Sequence, residues 1–173
     1  QDCLVALDGV DLHLTAETDT GTSERILRLY CKNSTFVTHE GFAVLRYRGE
    51  QQPLLGFSRN SQSCAYWSPS GVPHLSILGD TPGLLENPNL LALQGFDNAY
   101  DERIASLCKT FSGGTEIFDL DFADGQQEGW FSERSIEREV RWLSDPRLAR
   151  PFEQAQPAAF AIEEAMFTPG YRP

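Results

Sequence analysis

The chain has 173 residues, of which 40% are hydrophobic and 23% charged, and its net charge at pH 7 is −11. This size and composition suit one folded domain and exclude wholesale disorder. The acidity makes nucleic acid and anionic membranes poor partners, and no apolar run approaches the roughly 20 residues needed to cross a bilayer. The expected partner is a basic protein or a divalent cation.

Short strands are predicted for most of the chain. Apolar runs at 3–7 and 10–14 flank Asp8-Gly9, a dipeptide favoured in hairpin turns, and further strands are predicted at 25–32, 41–49, 53–57, 64–67 and 74–78. Residues 90–93 are expected to form a short strand or a turn of helix. Residues 116–122 show the clearest period of two, which predicts a half-buried strand. Phe118 and Leu120 are expected on its buried face, and Asp119 on an outer face that carries carboxylates. We find no internal repeat in the sequence.

The C-terminal part of the chain changes character. A helix is favoured over a strand at 133–143, because Ile136, Val140 and Leu143 have helical spacing. The sequence after residue 145 contains five of the ten prolines, which predicts an extended path at 145–156 and a short helix at 157–167. The predicted fold is mainly β (α+β). It is an antiparallel β-sandwich or Greek-key-like domain at 1–145, with one or two short C-terminal helices in a Pro-rich arm at 146–173 packed on the same domain.

The cysteines favour two disulfides over a metal site. They are far apart and do not have zinc-ligand spacing: Cys3, Cys31, Cys64 and Cys108. Cys3–Cys31 with Cys64–Cys108 is the preferred pairing, and four buried thiols are the alternative. The chain begins Gln1-Asp2-Cys3 and passes directly into a strand, as after removal of a signal peptide. We therefore expect a secreted or periplasmic protein.

Residues 97–131 carry eight acids against two bases and contain the candidate binding residues. Asp119, Asp121 and Asp124 form one cluster of oxygen ligands of the kind that Ca²⁺ prefers. A second run, 101–107 (DERIASL), resembles the calcium motif of βγ-crystallin domains, and 113–118 (GGTEIF) looks like the start of that family's next Greek key. The resemblance implies a sandwich of Greek keys, with Ca²⁺ bound by Asp101, Glu102 and Ser106. The alternative is a solvated acidic strand face.

No catalytic motif is present, and His13, His39 and His74 are expected at the surface or in turns. We therefore favour a non-enzymatic binding protein, such as a periplasmic inhibitor or immunity protein, that presents an acidic surface to a basic protein. Its predicted contact residues are two acids and three aromatic anchors: Asp97, Glu128, Tyr100, Trp130 and Phe131. The alternatives are a calcium-binding structural or carbohydrate-binding module, a subunit of a larger extracytoplasmic assembly, and a hydrolase with a carboxylate pair.

Overall fold

The computed structural model describes residues 3–17, 25–48, 55–79, 82–85 and 89–163. Short β-strands account for most of the regular structure in these residues. The strands are β1 (Leu4–Leu7), β2 (Leu12–Glu17), β3 (Arg25–Lys32), β4 (Thr35–Thr38), β5 (Ala43–Arg48), β6 (Leu55–Gln62), β7 (Ala65–Trp67), β8 (Leu75–Leu78), β9 (Leu91–Phe96), β10 (Ala99–Tyr100), β11 (Cys108–Ser112), β12 (Thr115–Leu120) and β13 (Phe131–Arg134). Two short helices, α1 (Pro82–Leu85) and α2 (Phe122–Gln127), accompany them.

The strands form three sheets. Sheet A has the order β1-β4-β7-β10, sheet B the order β12-β11-β8-β5-β2, and sheet C the order β13-β9-β6-β3. The chain visits sheets B, C and A in turn, and the paired residues that begin successive strands of sheet B are Leu12, Ala43, Leu75 and Cys108. Each coil is therefore 31 to 33 residues long, and the molecule is a β-solenoid.

The prediction of an antiparallel sandwich is therefore wrong, although the mainly-β class is right. All pairs of described strands from successive coils are parallel, and among the described strands only β11 and β12 pair antiparallel. The predicted hairpin at Asp8-Gly9 is also absent, because β1 lies in sheet A and β2 in sheet B. A period of two identifies a strand and its buried face, but it does not encode the direction of the neighbouring strand.

Stacked side chains from successive coils fill the interior. The rings of Phe36 and Tyr66 stack at 5.2 Å between centroids, and those of Tyr66 and Tyr100 at 4.9 Å. At the corner between sheets C and A, each coil places one residue other than glycine at positive φ: Asn33, Ser63, Asp97 and Ser135. The coils thus repeat in geometry while their sequences differ.

The C-terminal part crosses the outer side of sheet A. It contains three 3₁₀ turns, Pro146–Ala149, Phe152–Gln154 and Pro157–Phe160. Phe152 and Phe160 pack with Val37 and Trp67, the outward-facing residues of β4 and β7. The helix predicted at 133–143 is absent, since β13 and the bridge of Glu137 to Ala99 extend sheets C and A there. The helix predicted at 157–167 is a single 3₁₀ turn in its described part, and residues 164–167 lie outside the described residues.

Candidate functional site

The predicted calcium ligands Asp101, Glu102 and Ser106 are divided between the core and the surface. Asp101 is buried, and its carboxylate accepts hydrogen bonds from the Trp142 indole Nε1 at 2.7 Å and from the Arg103 backbone N–H at 3.0 Å. Ser106 is also buried, whereas Glu102 is exposed. Because protein donors occupy the Asp101 oxygens, this carboxylate fixes the chain after β13 to the solenoid.

The other predicted calcium ligands, Asp119, Asp121 and Asp124, make contacts with neighbouring residues of β11, β12 and α2. Asp119 forms an ion pair with Lys109 at 3.0 Å, and hydrogen bonds from Ser106 and Lys109 hold the pKa of this carboxyl below its usual value. Asp121 is the N-cap of α2, and it forms a capping box with Asp124 at distances of 2.9 Å in both directions. These carboxylates stabilise a helix start and a strand face.

The six predicted ligands therefore do not converge on one point. Within the described ranges, no group of three or more His, Cys, Asp or Glu side chains is placed to hold a metal ion. Calcium binding stays a prediction, and thermal melts in EDTA and in millimolar calcium, with magnesium as the control, would test it.

The predicted aromatic anchors lie inside the protein. Tyr100, Trp130 and Phe131, expected at the surface, are 0%, 1% and 1% exposed, because they fill the core beneath α2 and the last coil. Asp97 is half-buried at a corner between sheets, and Glu128 is exposed at the end of α2. Of the five predicted contact residues, the two acids are the ones with exposed surface.

The described residues include all four cysteines and contain no disulfide bond. Cys64 and Cys108 are buried, and burial raises the pKa of both thiols. Cys31 is half-buried, and burial raises its pKa to about 12. Thiols in such environments are protonated and weakly reactive. The disulfide pairing stays a prediction.

The structure reveals a buried ionic network that the sequence did not indicate. The Arg59 guanidinium donates hydrogen bonds to Glu133, to the Tyr100 hydroxyl at 2.5 Å and to Nε2 of His74. Asn98 Nδ2 donates to the second Glu133 oxygen at 2.7 Å. The side chains of Arg59 and Glu133 are 0% exposed, so this network is closed to solvent and to substrates.

A glycine makes this network possible. In sheet C, Gly95 lies between Ser61 of the preceding coil and Glu133 of the next. Its φ is +151°, and a Cβ at this position would lie 1.9 Å from the Ser61 carbonyl oxygen. The missing side chain lets Asn98 and Glu133 both reach Ser61, at 3.0 Å and 3.2 Å.

The strongest candidate for an accessible site is the free edge of sheet B. β12 ends the sheet, and residues 115–119 are all exposed. Ile117 and Phe118 are 51% and 53% exposed, and alternation along the strand places them on opposite sides. The prediction of a half-buried strand is therefore wrong at Phe118, because β12 is the last strand of sheet B and has a described neighbour on one side only. Two exposed acids, Glu116 and Asp119, flank these two apolar side chains along β12. Further exposed acids lie at the start and the end of α2, which follows β12: Asp121, Asp124 and Glu128.

The chain matches no protein-family model, no curated protein and no solved structure. Its site is therefore judged from its own geometry. None of the described helices has the length and apolar character needed to span a membrane.

Sequence patterns indicated the acidic β12 strand but not the buried network around Arg59. The alternation in β12 identified it as a strand, and the acids around it were evident. The network was missed because Arg59, Asn98 and Glu133 belong to three different coils. Had the coil repeat been recognised, Arg59 would have aligned with Leu29 and Leu93, which would have marked it as a buried charge.

Proposed function

We propose that this protein is a non-enzymatic binding protein whose β12 edge binds a basic strand of a partner protein. The observation that carries the proposal is an exposed strand edge with apolar side chains among carboxylates. A secreted or periplasmic inhibitor or immunity protein remains the concrete form of this hypothesis. Its location is inferred from the sequence alone.

The backbone of β12 supports strand addition. One edge of β12 pairs with β11, and no described strand pairs with its other edge. The Phe118 amide N–H points toward β11, where it donates to the Thr110 hydroxyl at 3.2 Å. Because backbone groups alternate in direction along a strand, the Asp119 N–H and C=O point away from the sheet. An incoming strand can pair with such groups.

The side chains of β12 and α2 supply selectivity. The exposed carboxylates of this patch attract a basic segment, and Lys109 is the cation that neutralises part of it, through Glu116 and Asp119. Ile117 and Phe118 supply apolar area on the two faces of the added strand. The partner is therefore a segment that alternates basic and apolar residues.

The buried network supports a structural role for the protein's most unusual ionisable groups. Arg59, His74 and Glu133 are all buried in the solenoid interior, away from the β12 edge. The proposal therefore assigns them to folding, and it assigns binding to the edge of sheet B.

Labelled octapeptides test the proposal. An alternating Lys-Val peptide should bind at least about tenfold more tightly than an alternating Glu-Val peptide, and added salt should weaken its binding. Fluorescence anisotropy measures the affinities, and backbone NMR should place the largest amide shifts at 115–120.

Two variants distinguish specific docking from general attraction. Replacing both apolar residues (Ile117→Ser with Phe118→Ser) should weaken Lys-Val binding about tenfold, whereas Leu148→Ser, at a residue 83% exposed elsewhere, should leave it unchanged. Equal binding of the two peptides, or an unaffected double variant, would contradict the proposal.

A further inference from the structure

The outer face of sheet C carries two columns of side chains that run along the solenoid axis. Strand register aligns one residue from each of β3, β6, β9 and β13 in each column. The first column contains Tyr30, Asn60, Gln94 and Ser132, and the second contains Lys32, Gln62, Phe96 and Arg134.

These columns face solvent. The intervening residues of the strands, such as Leu93 and Glu133, point into the core and are buried. Tyr30 is 74% exposed and Phe96 is 38% exposed, and the described part of the C-terminal segment, up to residue 163, lies on sheet A. Exposed aromatic side chains in a regular polar array are typical of a binding surface.

The charge of this face is opposite to that of the whole protein. Arg28, Lys32 and Arg134 lie on it, and no acidic side chain of the described β3, β6, β9 and β13 points outward, since Glu133 faces the core. None of the three basic side chains forms an ion pair with a described residue. Three cations without an ion-pair partner among the described residues, on a chain of net charge −11, indicate an anionic ligand.

We propose that this outer face of sheet C binds an acidic polysaccharide whose chain runs along the solenoid axis. Neighbouring strands in a sheet are about 4.8 Å apart, which is close to the length of one pyranose unit. Successive coils can therefore present equivalent groups to successive sugars. Asn60, Gln62 and Gln94 can both donate to and accept from sugar hydroxyls.

The basic and aromatic side chains of this face would bind the charged groups and the ring faces of the sugar chain. Arg28, Lys32 and Arg134 pair with the carboxylates or sulfates of the sugar chain. Tyr30 and Phe96 offer apolar ring faces to the C–H faces of the sugars. Single-stranded nucleic acid is bound by stacking successive bases on aromatic side chains. The two outward aromatic side chains of the described sheet C strands, Tyr30 and Phe96, lie in different columns, so a sugar chain fits this face better. The interior strands β6 and β9 are paired on both sides, so a partner strand could be added to sheet C only beyond β3 or β13 and would not cover the two columns.

Calorimetric titration with three probes tests the assignment. We expect oligogalacturonate to bind, dextran of similar length to bind at least about tenfold more weakly, and poly-dT to bind more weakly than oligogalacturonate. Raising the salt concentration should reduce the affinity for oligogalacturonate. Stronger binding of poly-dT, or no binding of oligogalacturonate, would overturn the proposal.

Variants locate the site on the protein. The double variant Lys32→Glu with Arg134→Glu should lose about tenfold or more in affinity, and Tyr30→Ala about fivefold. Arg141→Glu is the charge control, because Arg141 is exposed and lies outside sheet C. An equal loss in Arg141→Glu, or no loss in Tyr30→Ala, would show only general charge attraction and would overturn the proposal.

This site is independent of the β12 edge. The double variant at Ile117 and Phe118 should bind oligogalacturonate as the parent protein does, and the variant at Lys32 and Arg134 should still bind the Lys-Val peptide. Each proposal can therefore fail while the other stands. A loss of oligogalacturonate binding in the β12 variant would place the glycan elsewhere and overturn the assignment to sheet C.

Discussion

Arg59 occupies a position in the solenoid where the neighbouring coils carry leucine. Register aligns it with Leu29 on β3 and Leu93 on β9. Its guanidinium lies 4.7 Å from the centroid of the Tyr66 ring and donates to Glu133, so the buried charge has both a cation–π contact and an ion-pair partner. A buried pair of this kind is costly to break from one side only.

The first prediction concerns this pair. Arg59→Leu should lower the free energy of unfolding by about 3–5 kcal/mol, because it leaves the Glu133 carboxylate buried without its cation. The double variant Arg59→Leu with Glu133→Leu should cost less than the sum of the two single variants. Urea denaturation measures all three. Additive losses would show that the two side chains act independently, and the exposed pair Arg141–Glu139 is a control expected to contribute about 0–1 kcal/mol.

His74 is a neutral acceptor inside the same network. An arginine guanidinium only donates, so Nε2 of His74 accepts from Arg59 and the ring proton lies on Nδ1. Burial, together with the charge of Arg59, holds the pKa of His74 well below the usual 6.5. The expectation that this histidine lies at the surface is therefore wrong, whereas His13 is exposed.

The second prediction is a pH dependence due to His74. Its folded-state pKa is depressed, so below pH 6.5 the unfolded chain binds a proton that the folded protein excludes. The free energy of unfolding should therefore decrease as the pH is lowered below 6.5, by up to about 1.4 kcal/mol per pH unit. His74→Gln should remove this slope between pH 7.5 and 5, as measured by urea denaturation at each pH.

A matched control separates the contribution of His74 to the pH dependence of stability from the contributions of other ionisable groups. His13→Gln, at an exposed site, should keep the slope of the parent protein. The Asp119 and Asp145 carboxyls, whose pKa values are lowered by hydrogen bonds from Ser106 and Arg147 respectively, lose their contribution only as pH falls through about 3.8 and below. A slope that persists unchanged in His74→Gln would contradict the prediction.

Among the elements, the C-terminal segment contributes a second hydrophobic cluster outside the solenoid. Phe152 packs edge-on against Trp67 at 6.2 Å between ring centroids, and Phe160 contacts Phe152 in the same way at 5.4 Å. Asp8 anchors the segment, since it accepts from Arg150 at 2.8 Å and from the Phe152 N–H at 3.2 Å. The segment thereby shields the outer face of sheet A from water.

The third prediction tests this cover. Phe152→Ala should lower the free energy of unfolding by about 3–5 kcal/mol, because it opens a cavity beside Trp67 and exposes apolar area. Leu148→Ala, in the same segment at a side chain that is 83% exposed, should change it by no more than about 0.5 kcal/mol. Chemical denaturation followed by tryptophan fluorescence measures both variants. Equal effects would show that the segment does not cover sheet A in solution.

The elements also show which local signals were sufficient. β3 was predicted at 25–32 and is found at Arg25–Lys32. Its run from Ile26 to Cys31 was expected to be largely buried, whereas Tyr30 is 74% exposed, because alternate side chains of β3 face solvent. The 133–143 helix failed because its helical spacing competed with pairing to β9 and to Ala99, which the sequence does not display. Tertiary hydrogen bonds outweighed a local preference.

At the scale of the whole molecule, the repeat was not visible in the sequence. The coils differ in length by only one residue each, but they share few residue types, because an interior position requires only a side chain of suitable size. The corner positions illustrate this, since asparagine, serine and aspartate all adopt the same left-handed backbone there. A solenoid built this way has geometric repeats without a sequence motif.

The sequence by itself determined that the protein is mainly β and where most strands lie. These properties follow from local alternation, which depends on residues within one strand. Only the tertiary structure decided the parallel pairing, the burial of Arg59, Tyr100, Trp130 and His74, and the assembly of Arg28, Lys32 and Arg134 on one face. Those properties depend on contacts between residues about one coil apart, and loop closure over that distance leaves no local pattern.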